Sequence, residues 1–464
     1  MLVGEAQGTN LAVDSRKPVE GSLLAWLESH ADLERAKARR DRPTLARMSA
    51  LMRLMGDPQT AYPVVHITGT NGKTSTARIV SALLEASGLT VGLYTSPDLE
   101  SVHERLARNS EPIGSEDFDQ VLSRLRNCSS TMEDPPSRFE LLTAAAFSWF
   151  ADVAVDVAVV EVGLGGRFDA TNVADGSVAI VTNVSLDHTD LLGPTVEHIA
   201  AEKSGIVKPG STLVLGQVPA TLDRTFAEAG AHRVWRRPAD FDVESSTVAV
   251  GGRLLTVRTP GARYGDLFLP LHGAHQGDNA ALAVAAAEAF FDRPVATEVV
   301  EQALSLVTSP GRMEVVRRRP LVVLDGAHNV AGAAAAGRGV SEEFAGRRLL
   351  IVMGVLDGHD PGEMLDAFGS QSVAAVFACS PPSPRALPAN AVSDAARRRN
   401  LSAVALSGVE EAVDQALAEA GEDDMVLVFG SLYLVGAARK LLLEDSRRVD
   451  HPADHRSGAT DVVS

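Results

Sequence analysis

The sequence predicts an α/β protein made of two units: a larger one over 1–309 with a mainly parallel sheet, and a smaller α/β one over 310–444. Three observations carry that prediction. Short Val/Ile/Ala-rich runs alternate with helical patterns along most of the chain. Those runs are almost continuously apolar, as suits parallel strands covered on both faces. The segment Thr308-Ser309-Pro310-Gly311 interrupts the alternation with the turn chemistry of a linker.

The first unit opens with the strand Val64-Val65-His66-Ile67, a loop from Thr68 to Gly72 and a helix from Lys73. In that helix Ile79, Val80, Leu83 and Leu84 recur at helical spacing, with Arg78, Ser81 and Glu85 between them. A strand at Thr90–Tyr94 follows, then a helix from Phe139 to Phe150, a strand from Asp156 to Glu161 and a buried strand from Ser177 to Thr182. Between Gly210 and Leu271 short alternating segments with Gly and Pro predict a small antiparallel addition, and the alanine-rich stretch Asp278–Phe290 a helix. Beyond the linker, Leu321–Leu324, Leu349–Met353, Val373–Phe377 and Val426–Phe429 read as strands with helices between them. Residues 1–17 are expected to be flexible, and the polar, aperiodic stretch 445–464 to be a disordered tail. No internal repeat is visible.

Composition narrows the function. The 464 residues carry 43 Lys and Arg against 60 Asp and Glu, a formal charge of −17, which argues against a nucleic-acid backbone as partner. The basic triplets Arg317-Arg318-Arg319 and Arg397-Arg398-Arg399 have no interleaved aromatics and read as solvated faces. Two cysteines, Cys128 and Cys379, are too few for a disulfide framework or a zinc site. The strongest apolar run, Val153–Val162, is broken by Asp156 and Glu161 and falls far short of a membrane span. The first ten residues have neither a basic nor an apolar leader region, so a cytoplasmic protein without a membrane partner is expected. No heptad or exposed apolar stripe is evident, which predicts a monomer.

Gly69-Thr70-Asn71-Gly72-Lys73-Thr74-Ser75 lies between a strand and a helix. A loop there aims backbone N–H groups at an anion, and the helix adds its positive dipole end. Lys73 is placed to reach the β/γ-phosphates and Thr74 to ligate Mg²⁺. The usual Walker spacing wants a glycine where Ile67 stands, so this is a variant phosphate loop, and the first unit is of P-loop NTPase type. Asp156–Glu161 is an apolar strand ending in a carboxylate, where a Mg²⁺-coordinating acid belongs. No Asn-Lys-x-Asp guanine signal occurs, so ATP is expected over GTP.

Further short motifs follow in order: Thr95-Ser96-Pro97, Phe139-Glu140, Glu161-Val162-Gly163-Leu164-Gly165-Gly166-Arg167-Phe168-Asp169, Asp187-His188-Thr189, Glu202-Lys203, His275-Gln276, Asn279, Gly311-Arg312, Glu314 and Asp325-Gly326-Ala327-His328-Asn329. Together with the phosphate loop, these make the chain resemble the folylpolyglutamate synthase/dihydrofolate synthase branch of the Mur ligase superfamily, from about Asp41 to Arg439. The resemblance implies a Rossmann-like C-terminal unit and an ATP-dependent ligase. It would add L-glutamate to dihydropteroate, to the glutamate tail of reduced folates, or to both, through an acyl phosphate.

Carried over by position, Lys73 and the loop amides hold the phosphates. Thr74 ligates a first Mg²⁺, and Ser96, Glu161 and His188 a second. Lys203 matches a position carbamylated in many members. Asn279, Arg312, Asp325 and His328 match nucleotide contacts across the interface, with Arg312 placed by the linker to swing in on closure. Phe139 and Asp169 fall where the family holds the pterin. Taken alone, His188 reads as a hydrogen-bonded loop histidine, Lys203 as an exposed helix lysine, Phe139 as a core aromatic and Asp169 as a turn residue.

The chain departs from the family at three places. Asp98 stands where Ser-Pro-His is frequent, Gly358-His359-Asp360 replaces Asp-Lys-Asp, and Thr74 replaces a common Gly. Two other readings compete: a superfamily ligase for a different acid, and a non-catalytic ATP-binding paralogue. The short stretch before the loop leaves little room for a nucleotide-sugar domain. The paralogue predicts loss of metal or lysine positions, all of which are filled.

Overall fold

The computed structural model describes residues 21–31, 44–369 and 373–450, so the expectation for residues 1–17 lies outside the described residues. Eight strands make the first sheet: β1 (Val64–Thr68), β2 (Val91–Tyr94), β3 (Leu106–Arg108), β4 (Glu111–Pro112), β5 (Val157–Glu161), β6 (Gly176–Val181), β7 (Thr212–Leu215) and β8 (Arg233–Arg236). Their order is β4-β3-β2-β5-β1-β6-β7-β8, parallel except for the β2–β3 and β3–β4 pairs. β1 therefore runs in the middle, with β5 and β6 as its neighbours, and its C-terminal end opens between theirs.

The continuous apolar runs are explained by the two faces. In β5, Val157 and Val159 join the core beneath helix Lys73–Ala86, while Ala158 and Val160 join the core beneath helix Arg138–Asp152. With both faces covered, no position along the strand is free to be polar. Helix Lys73–Ala86 is itself covered by helix Ala274–Phe291, whose run Ala280–Ala287 is wholly buried. Small side chains there let the two helices approach closely. That helix starts four residues before the sequence pattern suggested, because the polar residues of its first turn face the site.

The Gly210–Leu271 stretch divides in two. Its first part supplies β7 and β8, which extend the main sheet in parallel. Only β9 (Asp242–Ala249), β10 (Gly252–Arg258) and β11 (Arg263–Leu269) form the antiparallel addition, in the order β11-β10-β9. Four-residue strands such as β7 are too short to show a period.

After the linker come β12 (Glu314–Arg318), β13 (Leu321–Asp325), β14 (Leu349–Met353), β15 (Val373–Ala378), β16 (Ala403–Ala405) and β17 (Met425–Phe429). They form a six-stranded sheet of order β12-β13-β17-β14-β15-β16, antiparallel only at β12–β13. Its faces are again split by residue parity: Met425, Leu427 and Phe429 pack on one side, Val426 and Val428 on the other. The final helix runs from Leu432 to Asp450, so residues 445–450 of the expected tail are helical, with no Gly or Pro among them; 451–464 lie outside the described residues. Among the described residues no helix is long and apolar enough to cross a membrane.

Candidate active site

The loop Gly69–Gly72 joins the central β1 to helix Lys73–Ala86 and is pinned from behind by the segment after β6. Asn183 accepts from the Asn71 N–H (3.0 Å), while Thr182 and Asn183 donate to the Asn71 carbonyl (2.6 and 3.0 Å). Thr70 Oγ1 bonds both the N–H and the carbonyl of Ser185. Two glycines are required by geometry. A Cβ at Gly69 would stand 1.7 Å from Thr182 Oγ1; at Gly72, with φ +82°, it would stand 2.5 Å from Asn279 Oδ1. Lys73 Nζ donates to the carbonyls of Gly69 (3.1 Å) and Thr70 (3.2 Å), so its charge sits at the mouth of the loop. Ser75, expected among the ATP-binding residues, bonds Ser309 of the linker (3.0 Å) and ties the hinge to the phosphate helix.

One turn into the helix, Thr74 donates to Glu161 Oε1 (3.0 Å) at the end of β5, and the Ser96 N–H donates to Oε2 (3.2 Å). The Ser96 hydroxyl is buried and has no hydrogen-bond partner among the described residues. Burial pushes the Glu161 carboxyl up, and Lys73, the Ser96 N–H, the Thr74 hydroxyl and Arg312 pull it only part of the way back. A costly buried carboxylate beside two hydroxyls, one of them unsatisfied, is a hard-oxygen donor set that fits Mg²⁺. Among the described residues no three His, Cys, Asp or Glu side chains form a metal-binding group by themselves, as expected when phosphate and water complete the shell.

The facing wall is built around Asp187. Its carboxylate accepts from Asn329 Nδ2 (2.8 Å) and lies 3.8 Å from both His188 Nε2 and His328 Nε2. Burial works against this carboxyl's ionisation, but the imidazoles of His188 and His328 and the Asn329 amide outweigh it and hold it at about 2. Burial keeps His328 down at about 4 and lowers His188 as well, so both imidazoles are neutral near pH 7. His188 adopts φ +48° and bonds neither Ser96 nor Glu161; it faces Lys73 and Lys203 across the cavity floor. The Lys203 side chain, buried with the residue only 3% exposed, has no ion pair or hydrogen bond among the described residues. Burial, then the charge of Lys73, bring its amine down to about 7. An exposed helix lysine is therefore excluded.

The second unit brings in Asn329, which caps helix Val330–Glu343 and exchanges amide bonds with Asn71 (3.2 and 3.4 Å). Arg312 follows the linker, with its guanidinium against Gly326, where a Cβ would meet Nη1 at 1.9 Å. Its charge reaches Glu161 and Asp325. Asp325 spends its oxygens on the N–H groups of Met313 and Ala327 (2.9 Å each), and so orders the turn that carries Arg312 and His328. Asn279 packs on Gly72 and bonds Gln276 (3.0 Å).

Phe139 covers Gly163, where a Cβ would come within 2.5 Å of its ring, and lies 6.4 Å from the Tyr94 ring. Asp169 is buried and accepts from Leu164 N, Thr171 N and Thr171 Oγ1 (2.9, 3.0 and 2.6 Å), so both its oxygens are engaged in holding the glycine loop. Of the three family departures, Thr74 is the one already placed beside Glu161, and the other two fall in different places. Asp98 pairs with buried Arg105 (2.6 Å), while His359 packs edge-on to His188 and His328, with centroids 6.2 and 5.8 Å away. Asp187 and Asn329 stand inside motifs quoted from the sequence but were not singled out as site residues, and Asn183, two residues past β6, was not noted at all.

A phosphate cradle on one α/β unit, with a carboxylate beside it and an arginine delivered from a second unit, defines an enzyme that activates a substrate with a nucleoside triphosphate. The comparisons make this specific. Residues 67–287 match the Mur ligase middle domain and residues 311–432 the Mur ligase glutamate ligase domain. The chain belongs to the Mur ligase family and is an ATP-dependent amide ligase. It is 39% identical to the dihydrofolate synthase/folylpolyglutamate synthase of Mycobacterium tuberculosis, over 92% of this chain and 96% of that one. The Bacillus subtilis protein of the same name is 32% identical, over 86% and 95%. Among solved structures, the M. tuberculosis folylpolyglutamate synthase complexed with ADP and AMPPCP matches with a TM-score of 0.82 at 39% identity, covering 86% of this chain and 96% of that one. The Escherichia coli FolC in complex with DHPP and ADP matches at 0.81 and 29% identity, covering 92% and 99%.

Proposed function

We propose that this ligase joins L-glutamate to dihydropteroate, to the glutamate tail of reduced folates, or to both. The observation that carries this is the likeness, over nearly the full length of both chains, to relatives named for those two activities. In the reaction, a carboxylate oxygen of the acid bonds to the γ-phosphorus of ATP as the bridging P–O bond breaks and ADP leaves. The glutamate amine then attacks the acyl carbon and expels phosphate, losing a proton. The loop N–H groups and Lys73 hold the phosphates, and Arg312 adds positive charge on the face opposite the loop.

Thr74 would hold one Mg²⁺, with Ser96, Glu161 and His188 around a second. Bound there, Mg²⁺ supplies charge neutralisation for crowded phosphate and carboxylate oxygens. The Lys203 amine, brought down to about 7, is suited in its neutral form to add to CO₂ as a carbamate, losing a proton and placing an anion next to Lys73. Phe139 offers a flat apolar surface for the pterin, with Asp169 fixing the loop beneath it. We place the boundary between the working units at 309–310, where the Ser75–Ser309 bond marks the hinge. One chain supplies every part of this site, in keeping with a monomer.

The test is ADP release by purified protein with Mg·ATP and glutamate, comparing dihydropteroate, tetrahydrofolate and no acceptor, with products weighed by mass spectrometry. Growth of an acceptor by one glutamyl residue is the expected result. Nucleotide binding without turnover on either acceptor would overturn the substrate assignment.

A further inference from the structure

Far from the phosphate loop the two units meet a second time, through the last residue of helix Val330–Glu343. The Glu343 side chain is 1% exposed and accepts three bonds, all from the first unit. Arg253 Nη1 on β10 and the Gly273 N–H reach Oε1 (2.5 and 2.7 Å), and His272 Nδ1 reaches Oε2 (2.6 Å). The Arg253 side chain is 4% exposed and further held by Ser246 (2.7 Å). The backbones also close up: a Cβ on Gly339, one turn before Glu343, would lie 3.6 Å from the Gly273 Cα.

A dry ion pair of this kind is weak grounds for stability, because desolvation cancels most of the attraction. Its geometric consequence is larger. Gly273, at φ +94°, is the residue from which helix Ala274–Phe291 starts. The first turns of that helix carry Gln276 and Asn279, and Asn279 packs on Gly72 of the phosphate loop. At its other end helix Val330–Glu343, 14 residues and about 20 Å long, begins at Asn329, which is bonded to Asn71 and Asp187. The distant end is held by charged bonds of 2.5–2.7 Å, and the site end by the Asn329–Asp187 bond (2.8 Å) and the amide bonds to Asn71 (3.2 and 3.4 Å).

We infer that Glu343 is a positioning residue for the nucleotide: its contacts from the second unit set how the start of helix Ala274–Phe291, and with it Asn279, meets the phosphate loop.

The test uses the full chain with Glu343→Ala and Glu343→Gln, measuring ADP affinity by calorimetry, KM for each substrate, and Tm. Glu343→Ala is expected to weaken ADP binding and raise KM for ATP about tenfold, the loss of roughly one good hydrogen bond to a charged group. Glu343→Gln, which keeps an acceptor for Gly273, is expected to recover most of that affinity, and KM for glutamate and acceptor to stay within about twofold of wild type. A lowered Tm with ADP affinity unchanged would make Glu343 merely structural and overturn the proposal, as would an equal rise in all three KM values. If the alanine variant does not fold, Arg253→Gln, which removes the charged donor from Glu343, is read instead: weakened ADP binding is expected, and unchanged ADP affinity overturns the proposal. ADP affinity is read without turnover, so the result does not depend on which acid is the substrate.

Discussion

Replacing Lys203 with methionine should make the protein more stable and much less active. The residue is 3% exposed, its side chain is unpartnered among the described residues, and its amine is brought from 10.5 to about 7, by burial first and by the Lys73 charge second. At about 1.4 kcal/mol for each tenfold change, forcing the proton on at pH 6 costs up to roughly 5 kcal/mol, an upper bound because a site next to a solvent-filled cleft can hydrate the ammonium. Methionine has similar length and no charge to desolvate.

Below pH 7 folded and unfolded chains both carry the proton, so the full penalty burdens the wild type. From about 7 up to 10.5 only the unfolded chain holds it, so wild-type stability should rise with pH through that window. The advantage of Lys203→Met should therefore be largest at pH 6, about 1–3 kcal/mol after that hydration, and shrink towards pH 9. Urea unfolding of both proteins at pH 6, 7.5 and 9 measures this. Ligase turnover should fall at least about a hundredfold, some 3 kcal/mol in the barrier, and wild-type turnover should drop in CO₂-depleted buffer and return with bicarbonate. A variant that is less stable than wild type at pH 6, or whose stability difference ignores pH, would refute the account of an unpaired buried amine.

Two further substitutions probe the loop and the acid beside it. Gly72→Ala places a side chain at φ +82° and 2.5 Å from Asn279 Oδ1; the backbone strain alone should cost about 1–2 kcal/mol, and displacement of Asn279 should raise KM for ATP, both read from unfolding and steady-state kinetics. Glu161→Gln should leave Tm at pH 7.5 unchanged or higher, because burial already disfavours the carboxylate, while a Mg²⁺ titration of turnover shows at least about a hundredfold loss.

Much of the architecture is written in local sequence. The parity-independent apolar runs of β5 and β17 require burial on both faces, which only a covered parallel sheet provides. The loop from Gly69 to Ser75 announces an anion site because its glycines sit between a strand and a helix start. Less was visible in β7 and β8, whose four residues each are shorter than any period that could mark them, and in β3 and the edge strand β4, which the sequence reading did not anticipate. The final helix outran its apparent end because charged residues without glycine or proline do not stop a helix.

The residue types that do chemistry, and the order in which they occur, were determined by the sequence alone, since a phosphate loop and the acid that follows it keep their character in isolation. Which of them meet was decided by the tertiary structure. The Ser75 hydroxyl turned out to reach Ser309 of the linker, and Asp98 to neutralise Arg105. Asp187 became the centre of a wall to which both units contribute. Lys203 became an unpaired buried amine, a property no helix pattern can express, because desolvation is set by everything that packs around a group and not by its neighbours in the chain.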